Sequence, residues 1–334
     1  MGIYAHRPKS VSCGRMSEPR PARLRRLAEE LAEIGWVSSG VDDRDDVLLE
    51  ELDHALRPPT HERRIPSSGT IIDPRTDPQR WTDRSQLDIV RSSVERQSLE
   101  AARRFADGLS SWLVRRPNGD DEWVMFDRPA GSERDLVVLS DAFGGTIVQR
   151  HPSGAVRAAG EFGVVRWDGV RWHHEPPIRT WIDTVTTCSE RGDHDALTAL
   201  LEFAVHDLGS LGLGALLIYR PDDEPGPAVE PLHPPPPPLH IRTPFHLAPL
   251  RHALAQMDGA AIFDRDGVLQ QLGVRIVPSR DAEAAVDPLG GTRHTSGRRY
   301  SYDDPNATVI AVSDDGPVTV LRRGEIIGRS ISSA

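Results

Sequence analysis

A chain of 334 residues with 38% apolar content, 28 prolines and 28 glycines is long enough for two cored domains joined by substantial loops. Its net charge of −10, without a long basic run, argues against a sequence-independent grip on nucleic acid. The two cysteines, Cys13 and Cys188, have no cysteine neighbour at metal-ligand spacing. This argues against a disulfide framework or zinc site and fits a reducing cytoplasm.

Residues 1–16 read as a non-structural leader without an apolar core, and Met16 is an alternative start. Lys9 is the only lysine, so a basic contact to phosphate in the folded part falls to arginine. Residues 17–35 predict a helix, with Leu24, Leu27, Leu31 and Ile34 at helical spacing and Gly35 closing it. Residues 47–56 continue in that style, 57–80 read as a surface loop, and 84–114 read as helical again.

From Glu122 the period becomes two, and WVMF, DLVVLSD, GTIVQR, AVRAAGEFGVVRW and VRWHH predict strands. Trp167, Trp172, His173 and His174 read as a core tryptophan pair beside an exposed histidine pair, with a metal or ligand site as the alternative. Residues 194–209 form the best amphipathic helix, with Gly209 as its C-cap. GLGALLIYR follows as a buried strand. Residues 221–240 contain five successive prolines, Pro234 to Pro238, and read as an extended loop. A helix over 246–257 and strands in AAIFD, VLQQLGVRIV, ATVIAVSDD, VTVLRR and IIGRS complete the chain. No apolar run approaches the ~20 residues of a membrane helix. A faint echo links DLVVLSDAFGGTIVQRHPSGAV to TVIAVSDDGPVTVLRRGEI, and two unrelated hairpins account for it most simply.

Two short blocks carry the chemistry. Asp258-Gly259-Ala260 sits between a helix and a buried strand, which predicts a carboxylate at the mouth of a sheet, beside residues that let a nucleotide approach the backbone. Gly290-Gly291-Thr292-Arg293-His294 offers converging backbone N–H groups, a hydroxyl, a guanidinium fork and an imidazole, a set suited to polyphosphate or metal.

Together, in this order of elements, the blocks resemble the diadenylate cyclase domain, whose hallmarks are a DGA motif and a GTRHR motif. GALLIYR matches the strand that precedes DGA in that family. Gln256-Met257 echoes its KM, and Ser313-Asp314-Asp315 its Ser-Glu-Glu. The resemblance covers residues 190–330. It implies an α/β fold with a mixed sheet, preceded over residues 17–185 by a smaller helical-plus-β domain of sensor type.

The resemblance also implies a reaction: two ATP condense to cyclic di-AMP and pyrophosphate with Mg²⁺ or Mn²⁺, between two domains face to face in a homo-oligomer. Asp258 and Asp315 would serve the metal. Asp258, Arg293 and His294 would be catalytic, and Gly259, Ala260, Gly291, Thr292, Thr295, Ser313 and Arg298 would contact nucleotide. The chain departs from the motif at its last residue, where Thr295 replaces arginine, and Arg298 and Arg299 are the candidates to reach back. That departure keeps open a nucleotide-binding regulatory protein without turnover. The proline run keeps open an interaction module, and its length departs from the family's pattern. No DNA-binding helices and no membrane partner are expected.

Overall fold

The computed structural model describes residues 20–330 except 37–42, 61, 63–64, 95–96, 117–118, 179–180, 182–184, 186–193, 223–225 and 315–317. The expected leader, both cysteines and Asp315 lie outside the described residues.

Helices α1 (Ala22–Glu33) and α2 (Asp43–Leu56) come first. The buried face of α1 is Leu24, Leu27 and Leu31, which meets Leu48, Leu49 and Leu52 of α2. The loop expected over 57–80 instead contains a strand, β1 (Ser68–Ile72). The helix expected over 84–114 is also broken. Only short helices α3 (Trp81–Ser85) and α4 (Leu99–Arg103) form near it, separated by β2 (Ile89–Ser93) and followed by β3 (Ser111–Arg115). The middle of β3, Trp112-Leu113-Val114, is fully buried. A strand covered on both faces shows no alternation, so its pattern was not a strand signal.

After β4 (Glu122–Phe126), the DLVVLSD stretch expected as a strand lies inside helix α5 (Glu133–Phe143). A reciprocal capping box decides it: Ser132 accepts from the Asp135 N–H while the Asp135 carboxylate accepts from the Ser132 N–H. Strands β5 (Thr146–Arg150), β6 (Val156–Gly160), β7 (Gly163–Trp167) and β8 (Trp172–Glu175) complete an eight-stranded sheet of order β2-β4-β3-β1-β5-β6-β7-β8. Trp167 and Trp172 pack 5.6 Å apart, His173 pairs with Asp168, and His174 bonds the Ile34 and Phe162 carbonyls. Among the described residues no cluster suited to a metal forms.

Helix α6 (His194–Glu202) continues as a π turn over Phe203–Leu208 and a 3₁₀ turn over Gly209–Leu211. Gly209 is therefore helical at φ −58, and the left-handed cap falls on Gly212. Then come β9 (Ala215–Tyr219), β10 (Val229–Pro231), α7 (Pro244–Leu254), β11 (Ala260–Phe263), β12 (Leu269–Ile276), α8 (Arg280–Ala285), α9 (Thr292–Asp303), β13 (Thr308–Val312), β14 (Val318–Arg322) and β15 (Glu325–Arg329). They form a seven-stranded sheet of order β10-β12-β11-β9-β13-β14-β15. Beyond Pro231 the proline run forms no strand, and it lies mostly exposed.

Both sheets follow one plan. The central pairs β1–β3 and β9–β11 are parallel, and every other pairing in both is antiparallel. Strand order agrees position by position, apart from β8, which the second sheet lacks. Each sheet is covered on one face by a helix leading into its fifth strand, α5 or α9, and on the other by helices preceding its first strand. The fold is thus a mixed α/β arrangement, with an N-terminal domain followed by a C-terminal one.

Candidate functional site

The predicted motif residues converge on a cavity of about 1020 Å³ on the α9 face of the second sheet. Asp258, Gly259 and Ala260 enter from the start of β11, Gly290 to His294 from the start of α9, and Ser313 and Asp314 from the end of β13. The site lies at the amino ends of the parallel pair, not at the carboxyl ends where an open parallel sheet places its ligands. The reason is that β13 runs antiparallel to β9, so its carboxyl end meets their amino ends.

Gly259 holds φ +103, and a Cβ there would lie 2.7 Å from the Val274 carbonyl oxygen. Only glycine brings Asp258 round that corner. The Asp258 side chain is exposed on the cavity wall and makes no hydrogen bond or ion pair with a described residue. At the opposite wall the Arg293 guanidinium donates to Asp314 at 2.7 Å. This pair closes over Gly214, where an added Cβ would lie 1.8 Å from the Asp314 carboxylate. His294 Nε2 is 3.2 Å from the Thr319 hydroxyl on β14.

Thr292 is the first residue of α9, with Gly291 as N-cap and no side-chain cap. The free N–H groups of that first turn line the same wall as Arg293, an arrangement that favours an anion. Gly297 packs its helix backbone against Leu216, Val309 and Leu321, which seats α9 close on the sheet.

Two expected nucleotide contacts are placed elsewhere. Thr295 does not line the cavity: its hydroxyl donates to the Leu289 carbonyl at 2.7 Å and accepts the Leu289 N–H at 3.1 Å, tying down the glycine loop. Arg298 donates to the Gly324 carbonyl at 2.6 Å and to the Asp287 carbonyl at 3.3 Å, and Arg299 does not line the cavity either. Conversely, Arg275 of β12 and Arg329 of β15 do line it and escaped the sequence reading. Arg275 lies 3.6 Å from Glu230, whereas Arg329 has no partner among the described residues. Both reach the site through strand register, which no local motif reveals.

Residues 237–326 match the family described as DisA bacterial checkpoint controller nucleotide-binding, the diadenylate cyclase domain. Residues 25–175 match the family described as probable sensor domain DACNK. Over these residues the chain is therefore similar to a diadenylate-cyclase-type nucleotide-binding domain and, ahead of it, to a sensor-type domain. No curated protein matches it. Among solved structures, a hypothetical membrane spanning protein from Bacillus cereus is 20% identical over 40% of this chain, with a TM-score of 0.30. The match spans 61% of that protein, and so low a superposition score supports no argument. Among the described residues no helix is long and apolar enough to cross a membrane.

Proposed function

We propose that the chain condenses two ATP molecules into cyclic di-AMP with release of two pyrophosphates. The observation that carries this reading is the meeting of Asp258, Gly291, Thr292, Arg293, His294 and Ser313 around one cavity, since these residues come from three separate segments. In each half-reaction a 3′-oxygen attacks the α-phosphorus of the other nucleotide, and the bond to the pyrophosphate oxygen breaks. The hydroxyl proton leaves by way of Asp258 or solvent. The work of the protein is placement and charge neutralisation.

Asp258 orients the attacking hydroxyl. The first turn of α9, with Arg293 and His294, holds the triphosphate. Arg275 and Arg329 supply positive charge that the motif's missing arginine does not. Two reacting nucleotides need two such cavities face to face, so the active unit is at least a homodimer of cyclase domains.

Mg²⁺ or Mn²⁺ fits this donor set. Among the described residues Asp258 is an unpartnered carboxylate, and no three-residue His, Cys, Asp or Glu cluster competes for the ion. Such an ion takes one or two carboxylates and fills its shell with phosphate oxygens and water. Bound there, it would draw charge from the phosphates.

A second reading is nucleotide binding without turnover, favoured by Thr295 in place of arginine. Incubation of the purified protein with ATP and Mn²⁺, followed by mass spectrometry, separates the two. Cyclic di-AMP is expected, and its absence with ATP still bound would establish the second reading. Asp258→Asn is expected to lower turnover at least 10²-fold, the scale of a lost transition-state contact. Unchanged turnover would remove Asp258 from the chemistry.

A further inference from the structure

The likeness between the two sheets is closer than shared order. One constant shift in numbering carries β5, β6 and β7 (146–150, 156–160, 163–167) onto β13, β14 and β15 (308–312, 318–322, 325–329) without a gap. Pairing registers follow: Ser68↔Arg150 corresponds to Ala215↔Val312, and Gln149↔Arg157 to Ala311↔Thr319. The parallel register, Thr70↔Leu113 against Leu217↔Ala261, sets Trp112 on Ala260 and Ser110 on Asp258. The sequence echo is thus real over TIVQRHPSGAV, but it belongs opposite TVIAVSDDGPV. DLVVLSD, which is helical, has no part in it.

We infer that the N-terminal half is a second copy of the nucleotide-binding fold, that its cleft is filled by its own side chains, and that this end of it holds the cyclase domain from behind. Where the cyclase cavity is lined by Ala260 and Thr319, with Ala311 buried on the same face of the sheet, the N-terminal half carries Trp112, Gln149 and Arg157. Trp112 and Gln149 are fully buried and Arg157 is 7% exposed. The Gln149 amide donates to the Gly108 carbonyl at 2.7 Å and the Gly131 carbonyl at 3.2 Å. Gly108 precedes β3 and Gly131 precedes α5, so this one side chain ties together the two loops that in the cyclase domain flank the cavity. The catalytic acid position is Ser110.

The start of α5, the counterpart of the motif helix α9, presents Glu133 and Arg134 to the cyclase domain. Glu133 takes Arg166 at 2.6 Å from its own sheet and His206 at 3.1 Å from the π turn. Arg134 reaches Glu202 at 3.3 Å and Asp207 at 3.5 Å, and Asp207 also takes Arg251 at 3.1 Å. The π turn packs on the face of the cyclase sheet opposite the cavity. Docking therefore uses up the end of the N-terminal copy where a nucleotide would enter, and it leaves the cyclase cavity free.

Resting on the cyclase reading above, this gives one nucleotide site per chain. The pair of folds within one chain cannot supply both substrates, and the second nucleotide comes from a second copy of the chain.

Calorimetric titration of the full chain with α,β-methylene-ATP and Mg²⁺ tests this. One analogue per chain is expected. Two per chain would overturn the inference and leave the cyclase reading standing, whereas none would overturn the cyclase reading and the inference with it. Ala311→Gln, which places the N-terminal filler on the cavity face of the cyclase sheet, is expected to weaken binding at least tenfold; unchanged affinity would overturn the equivalence. If that chain does not fold, Thr319→Arg serves the same purpose at the cavity wall. Light scattering during turnover is expected to give at least two chains per particle, and turnover by single chains would overturn the inference.

Discussion

In the C-terminal sheet the space between the starts of β11 and α9 is entered by Gly259, Ala260, Gly290 and Gly291 and remains a cavity. In the N-terminal sheet the matching space is packed by an indole, a carboxamide and a guanidinium, each of which donates to a neighbouring carbonyl. The backbone plan is common to both, so the difference lies in side-chain volume and hydrogen bonding at a few positions. A fold sets where a site can be, and its residues decide whether it is a site or a core. The same contrast holds for charge. Glu133 is closed in by burial, which alone would raise its carboxyl, but Arg166, His206 and Arg157 override that and hold it down at about 2. Asp258 in the other half stands exposed, without a partner among the described residues.

The largest loss is expected at Glu133. Glu133→Gln leaves Arg157 and Arg166 without their buried counter-charge, and the expected loss is about 3–5 kcal/mol of stability by urea unfolding. A loss below about 1 kcal/mol would mean the filled cleft is not a structural core. Arg329→Ala should behave in the opposite sense. Nucleotide affinity is expected to fall about tenfold, the scale of one charge-assisted contact, with the melting temperature unchanged. A fall in melting temperature without loss of affinity would take Arg329 out of the site.

Thr295→Val sharpens the cyclase side further. Its hydroxyl ties Leu289 into the loop, so the expected cost is about 1–2 kcal/mol of stability with little change in affinity. Lost affinity at unchanged stability would return Thr295 to the phosphates.

A further effect concerns pH. Burial, with the nearby Glu133 charge adding and Arg166 opposing, raises the Glu175 carboxyl to about 8 from an ordinary 4.5. Between those values the folded chain holds a proton that the unfolded chain has released. The stability from this group is therefore complete below pH 4.5 and declines as pH rises through about 8. Glu175→Gln is expected to flatten that decline in melting scans from pH 5 to 9, and an unaltered slope would clear Glu175 of it.

Much of the C-terminal half was legible because its strands are short apolar runs between clear turns, and because Asp258 and the Gly291 block are contiguous motifs. The N-terminal half was harder for identifiable reasons. The buried face of β1 is a five-residue stretch between proline-rich segments, β3 has no alternation, and the apolar run in α5 fits either period until Ser132 and Asp135 close its cap. Arg275 and Arg329 were invisible because a strand's register, not its own sequence, decides which cavity it borders.

The proline run has a consequence for how the cyclase sheet behaves in crowded solution. Strand β10 is the last on its side of the sheet, so its outer edge is a template for another chain to pair with. It ends at Pro231, and Pro234 to Pro238 follow closely without a single backbone donor among those five. A chain that tried to extend β10 by edge-to-edge pairing would run out of hydrogen bonds within a few residues. At the other edge, β15 is bounded by Glu325 and Arg329, which flank its exposed Ile326 with charge. A sheet that, on the proposed reading, meets a second copy of itself through its cavity is thus guarded against meeting it along its rims.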